Sequence, residues 1–142
     1  MVYSDSLDCC FSAMDMYGQY LAVVRQYDIK LLNYENGVYQ EMILPNDISD
    51  HDWDAVDLFG DYLMVGASRY SFQGGFGNDG IARIYKFNGM EWEKLMDITD
   101  PFPNTSIGFK VSTDGVNYVI GAPNANVNGV ISAGKILLGP VE

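Results

Sequence analysis

The sequence predicts an all-β protein made of three copies of one antiparallel unit. A short apolar stretch that begins with a glycine occurs three times. The three glycines are Gly18, Gly60 and Gly115, and we call each the opening glycine of its unit. The chain is also rich in residues that favour strands and turns, with ten Tyr, seven Phe and 15 Gly among its 142 residues. It has no long stretch with the 3.6-residue periodicity of an amphipathic helix. These three observations favour strands joined by turns.

The first unit covers about residues 9–46. Polar and apolar residues alternate along its first strand, and a glycine turn follows at Gly18. The pair Asn36-Gly37 predicts a type I′ hairpin turn, because both residues tolerate a positive φ. The unit is therefore divided into four predicted strands, at residues 10–17, 20–24, 29–34 and 38–44.

The second unit, about residues 50–100, repeats this order. Its predicted strands lie at residues 53–58, 62–66, 81–87 and 91–96. The pair Asn88-Gly89 stands where Asn36-Gly37 stands in the first unit. The extra length of the second unit lies in a glycine-rich loop at residues 68–80, between its second and third strands. Loops that vary between repeats often carry binding sites.

The third unit covers about residues 106–142 and lacks a fourth strand. Its predicted strands lie at residues 109–113, 118–121 and 135–138. Repeats of about 40 to 50 residues that form four-stranded antiparallel meanders are typical of β-propeller blades. We therefore expect about three propeller blades in the chain, of which the last is incomplete.

The charge and the apolar pattern exclude several kinds of partner. The formal net charge is −11, with only eight Lys and Arg residues, so the chain would repel the phosphates of nucleic acids and of anionic membranes. No apolar run approaches the roughly 20 residues of a membrane span. Residues 1–6 show no signal-peptide pattern. The adjacent Cys9 and Cys10 are interpreted as buried apolar residues, which leaves the redox compartment open.

Three short motifs resemble a known repeat. They are Gly121-Ala122-Pro123, its near copy Gly66-Ala67-Ser68, and the segment from Ile107 to Ser112. Together they resemble the FG-GAP repeat of integrin α-subunit-type β-propellers, and the resemblance covers most of the chain. It implies a ring of six or seven blades, usually extracellular or surface-associated, that binds protein or carbohydrate and does not catalyse a reaction.

Calcium loops of the FG-GAP family lie between the first and second strands of a blade, but no residue of this chain is assigned to one. The connections at residues 59–61 and 113–117 carry too few carboxylates for the six to eight oxygens that Ca²⁺ needs. The acidic run at residues 47–54 has an Asp-x-Asp-x-Asp spacing, but Ala55 replaces the glycine of a calcium loop. We expect this run to be a solvated connection between units, with a weak ion site as the alternative, and we expect no metal and no cofactor.

The leading hypothesis is a non-enzymatic binding or structural module that recognises protein or glycan. The best candidates for ligand binding are five residues of the long loop: Tyr70, Phe72, Phe76, Asn78 and Asp79. Aromatic side chains in a loop have less core to fill than those in strands and suit stacking on a ligand. The alternative hypothesis is a hydrolase or lyase that uses Asp50, His51 and Asp52.

The missing fourth strand also predicts how the ring is completed. Three blades cannot close a ring, and an open sheet edge invites pairing. We expect a homo-oligomer, such as a dimer that closes a six-blade ring, with residues 1–6 pairing beside residues 135–138 of a neighbouring chain. The other possibility is that the chain is part of a longer propeller.

Overall fold

The computed structural model describes residues 11–25, 27–45, 52–72 and 77–142, and within these ranges the chain forms eleven β-strands and no helix. In chain order the strands are β1 (Phe11–Tyr17), β2 (Tyr20–Arg25), β3 (Asp28–Glu35), β4 (Val38–Met42), β5 (Ala55–Phe59), β6 (Tyr62–Ala67), β7 (Ile81–Phe87), β8 (Trp92–Ile98), β9 (Lys110–Thr113), β10 (Asn117–Ala122) and β11 (Lys135–Pro140). The all-β class is confirmed.

The strands form three separate antiparallel sheets, one for each predicted unit. Sheet 1 has the order β1-β2-β3-β4, sheet 2 the order β5-β6-β7-β8, and sheet 3 the order β11-β10-β9. The ends of the observed strands differ from the predicted ends by no more than two residues. Residues 1–6, Cys9 and Cys10 lie outside the described residues, so their predicted pairing and burial stay predictions.

The hairpin turns explain why the sheets form locally. Asn36 and Gly37 have φ values of 53° and 83°, as the type I′ turn requires, and they join β3 to β4 in a two-residue loop. The second pair closes its hairpin differently. Asn88 heads a four-residue loop, in which its Oδ1 accepts hydrogen bonds from the N–H groups of Met90 and Glu91, both at 2.9 Å. The second turn lies where the sequence predicts it, but its four-residue loop differs from the two-residue turn at Asn36-Gly37.

The sheets pack face to face in chain order, and sheet 2 lies between the other two. Alternate residues of β6 contact opposite neighbours: Leu63 and Val65 belong to the apolar core shared with sheet 1, and Met64 belongs to the core shared with sheet 3. Burial on both faces explains why β6 reads as a continuous apolar run.

The first strands of the three sheets lie side by side and are joined by a hydrogen bond that repeats. Asp15 of β1 accepts a hydrogen bond from the N–H of Leu58 in β5, with a distance of 2.7 Å. Asp57 of β5 accepts one from the N–H of Thr113 in β9, also at 2.7 Å. Each aspartate stands three residues before the opening glycine of its unit, and each amide stands two residues before the next opening glycine.

These two amides are available because of the antiparallel pattern. N–H groups along an antiparallel strand point alternately toward and away from the paired strand. Leu58 and Thr113 direct their N–H groups away from β6 and β10 and toward the neighbouring sheet. We call each aspartate with the amide it binds a carboxylate clamp. The two clamps set the same register between successive sheets.

The surroundings of the second clamp disfavour the charged form of the Asp57 carboxylate. Burial raises the pKa of Asp57 above its ordinary value of 3.8, and the Thr113 amide opposes this shift. The carboxylate of Asp15 raises the pKa of Asp57 further by repulsion. A raised pKa in the folded state means that folding favours the protonated form of this side chain.

The pH dependence of stability tests this balance. Because the folded state holds the Asp57 proton more tightly than the unfolded chain does, this group stabilises the fold most below its ordinary pKa. Its contribution is lost as the pH rises through the folded-state pKa. We expect the free energy of unfolding of the wild type to fall, relative to Asp57→Asn, as the pH rises from about 4 to 7. Urea unfolding of both proteins at several pH values measures this, and parallel curves would contradict it.

Sheets 2 and 3 meet at a contact that only glycine fits. A Cβ atom on Gly66 would overlap the carbonyl oxygen of Gly108, and one on Gly108 would overlap that of Ile81. Gly108 also has a φ of 89°, which favours glycine. The backbones of the two sheets therefore touch directly at this point.

A matched pair of substitutions tests the close contact. Gly66→Ala forces the backbones apart, and we expect it to lower the free energy of unfolding by about 1 to 3 kcal/mol. Gly121 occupies the equivalent position of sheet 3, where an added Cβ would lie 3.8 Å from its nearest neighbour, the backbone nitrogen of Lys110. Gly121→Ala should therefore cost much less in the isolated chain. If chemical denaturation gives the same loss of unfolding free energy for both variants, the close backbone contact at Gly66 is not the cause of the destabilisation.

Candidate functional site

The long connections of the chain gather at one end of the sheets. The clamps align the first strands, so the turns after them share one end, and the segments that follow β6, β8 and β10 share the opposite end. Residues 68–72, 77–80 and 99–109 belong to that opposite end, and we call them the loop surface. It contains the described part of the predicted binding loop.

Asp79 fixes the geometry of the loop surface. Its carboxylate accepts hydrogen bonds from the N–H groups of Phe72 at 3.2 Å and Asn104 at 2.9 Å. Its carbonyl oxygen accepts two more, from the Thr105 hydroxyl at 3.1 Å and the Ile107 N–H at 3.2 Å. One residue thus ties the loop of sheet 2 to the segment that leads into sheet 3.

Asn78 strengthens the same connection. Its N–H donates to the Oδ1 of Asn104 at 3.1 Å, and its carbonyl accepts from the N–H of Ser106 at 2.8 Å. Asn104 has a φ of 58°, a conformation that asparagine tolerates better than most residues. Asn78 and Asp79, predicted as ligand-binding residues, therefore both make hydrogen bonds within the protein.

Of the predicted aromatic residues, one is half-buried and one is exposed. The rings of Tyr70 and Phe72 meet edge to face, with centroids 4.6 Å apart. Tyr70 packs partly against the core between sheets 1 and 2, whereas Phe72 is 51% exposed. Phe76, the third aromatic candidate, lies outside the described residues. Tyr70 thus supports a ring that Phe72 presents to solvent.

A second exposed aromatic residue was missed in the sequence. Phe102 is 66% exposed, and the ammonium of Lys135 lies 5.7 Å from its ring centroid. Lys135 also forms an ion pair with Asp100, whose Oδ1 accepts a hydrogen bond from the Phe102 N–H at 3.0 Å. The available signal was an aromatic residue between two prolines, in a segment that has no core to fill.

Only one residue of the alternative, enzymatic hypothesis, Asp52, lies in the described ranges. Asp50 and His51 lie outside the described residues, and Asp52 forms an ion pair with Arg69 at 3.7 Å. The nearby carboxylate of Asp54 accepts hydrogen bonds from the hydroxyl and the N–H of Ser68. Burial raises the pKa of Asp54, and these bonds oppose the shift. In the described ranges, no group of three or more His, Cys, Asp or Glu side chains could hold a metal ion.

A cavity between the outer strands of sheets 1 and 2 is a second candidate site. Its volume is about 470 Å³, and it is lined by Asn33, Gln40, Glu41, Met42, Ile43, Pro45, Met90, Glu91 and Trp92. The Nε1 of Trp92 and the Oδ1 of Asn33 are buried without a hydrogen-bond partner. A ligand with hydrogen-bonding groups could satisfy such atoms.

The tie at Asp79 can be tested directly. We expect Asp79→Ala to speed amide hydrogen exchange at Phe72 and Asn104 by about tenfold or more, because both N–H groups lose their acceptor. Exchange in β6 should not change, since its hydrogen bonds lie in the sheet. Total stability should fall by no more than about 1 kcal/mol, because exposed amides bond to water instead. Unchanged exchange at both amides would refute the role of Asp79.

Comparisons with known proteins assign this chain to no family. A scan against models of protein families gives no match, and a search of curated proteins finds none similar to this chain. The resemblance to FG-GAP repeats therefore stays a prediction from the motifs themselves. Over the part of the chain that the structure describes, no helix has the length and apolar character needed to cross a bilayer.

Proposed function

We propose that the chain is a non-enzymatic binding and structural module, a partial β-propeller that recognises protein or glycan through its loop surface. In this proposal the three sheets are consecutive blades, with β1, β5 and β9 nearest the axis of the ring. Support comes from the face-to-face packing of the sheets in chain order and from the two carboxylate clamps between their first strands.

The observation that carries the recognition role is the pair of exposed rings on a fixed backbone. Phe72 and Asn104 donate to the two oxygens of one carboxylate, so the segments that bear Phe72 and Phe102 lie side by side. Aromatic rings supply large contact areas in protein interfaces and can stack on a ligand. A backbone that is already ordered lowers the entropic cost of binding.

The other candidates take supporting roles in this proposal. Asp79 and Asn78 position the backbone, and Tyr70 packs beneath Phe72. The resemblance to FG-GAP repeats adds the expectation that the module acts outside the cell or at its surface. The ring would be completed by further copies of the chain or by further blades of a longer one.

Truncation of the exposed rings tests the proposed function. The wild type is applied to an array of oligosaccharides and to a panel of purified cell-surface proteins. We expect the double variant Phe72→Ala, Phe102→Ala to bind the recognised member about tenfold more weakly or worse, because exposed aromatic residues commonly dominate interface energies. Its thermal stability should be near that of the wild type, since neither ring is in the core.

A control at the other end of the sheets locates the site. Met90 is more exposed than either ring, but it lies in the β7–β8 turn and lines the cavity between sheets 1 and 2. Met90→Ala should bind like the wild type. If Met90→Ala loses binding and the double variant keeps it, the ligand occupies the cavity and the loop surface is not the site. If the wild type binds neither array nor panel, the proposed function is wrong.

A further inference from the structure

In the part of the chain that the structure describes, two apolar sheet faces are open, and they lie at opposite ends of the stack of sheets. On the outer face of sheet 3, Ile136 and Leu138 are 69% and 76% exposed. On the outer face of sheet 1, Met14 and Met16 are 56% and 63% exposed. Large apolar side chains that cluster on one face usually mark a contact surface.

The same positions are buried in the other sheets. In sheet 3, Leu138 lies opposite Val119 on the neighbouring strand. The residues at the equivalent position are Ile84 in sheet 2, opposite Met64, and Leu31 in sheet 1, opposite Ala22. Ile84 and Leu31 are fully buried, because each is covered by the sheet that follows its own. The outer face of sheet 3 thus has the pattern of a face that a following sheet covers.

The outer face of sheet 1 has the complementary pattern. Met16 stands two residues before the opening glycine of its unit, as Leu58 and Thr113 do in theirs. Leu58 and Thr113 are buried, and the N–H of each is bound by the aspartate of the preceding sheet. Met16 lacks such a preceding sheet within the described residues.

The clamp position of sheet 3 differs from the other two. Ser112 occupies the place of Asp15 and Asp57, three residues before the opening glycine. Its hydroxyl donates a long hydrogen bond of 3.4 Å to Asp57, which leaves its oxygen free to accept. A hydroxyl can accept the Met16 N–H, but a neutral acceptor makes a weaker bond than a carboxylate.

We propose that the open face of sheet 3 packs on the open face of sheet 1 of a second copy of the chain. This inference rests on the blade arrangement of the proposed function. A second copy fits because each sheet covers the preceding one through the same register positions, and among the described residues the two terminal faces lack their complement. Two copies supply six sheets and two such joints, which close under a two-fold axis.

The surface of sheet 3 offers room for the methionines of sheet 1. One depression of about 270 Å³ is lined in part by Ser112, Val119 and Leu138. Another of about 360 Å³ is lined in part by Gly121 and Ile136. Flexible thioether side chains such as those of Met14 and Met16 fill irregular depressions of this kind. The joint is made by faces and does not require residues 1–6.

Light scattering over a concentration series tests the joint. The wild type should have twice the 15.8 kDa mass of one chain. Leu138→Lys and Met16→Glu should each halve that mass, because every joint contains one face of each kind. Both positions are exposed in the single chain, so circular dichroism should show unchanged folding. Met90→Lys, a control on sheet 2 whose faces are both covered, should leave the mass at twice that of the chain.

Mixing the two variants gives the decisive result. In an equal mixture of Leu138→Lys and Met16→Glu, one joint is unmodified and the other pairs opposite charges, so the doubled mass should return. A mixture that stays monomeric would overturn the inference, as would a wild type that is monomeric at every concentration. So would a Met16→Glu variant that still dimerises, which would indicate contact between two copies of sheet 3. Ligand binding by monomeric Leu138→Lys shows separately whether the proposed function holds.

Discussion

The bond between an aspartate and the amide of the next sheet is the constraint on which the arrangement of this protein depends. Packing of apolar faces is not directional, and two flat faces can slide along each other. The Asp15 and Asp57 carboxylates each select one amide on the neighbouring first strand. That selection fixes the register of the sheets, brings the long connections to one end, and so determines which segments form the loop surface.

Much of the fold could be predicted from the sequence, because the signals that set it are local. Period-two alternation, the three opening glycines and the Asn36-Gly37 turn depend on neighbouring residues, and the strands they predicted are the strands observed. The turn at Asn88 shows the limit of such signals. The same dipeptide, Asn-Gly, lies in a four-residue loop there, because the Asn88 side chain accepts hydrogen bonds from two backbone amides within the turn.

The candidate site was harder to predict, because it depends on contacts between distant segments. Nothing local to Asp79 indicates that its carboxylate will bind an amide 25 residues away, at Asn104. The sequence drew attention to the long loop, yet it grouped Tyr70 with Phe72, although the first ring packs on the core and only the second is well exposed. Phe102 was overlooked because it lies in a segment that reads as a linker between two units.

The electrostatics of the clamps also bear on why the third unit carries Ser112. Partial burial and the neighbouring carboxylate of Asp15 already raise the pKa of Asp57, so a row of half-buried aspartates becomes less favourable with each one added. In the proposed ring of two copies, six clamp positions surround one axis, and an aspartate at all of them would bring six carboxylates together. Serine at two of the six keeps a hydrogen-bond acceptor at each joint without adding charge. The joint between copies would then be weaker than the joints within a chain, and it would depend mainly on the apolar faces that the structure leaves open.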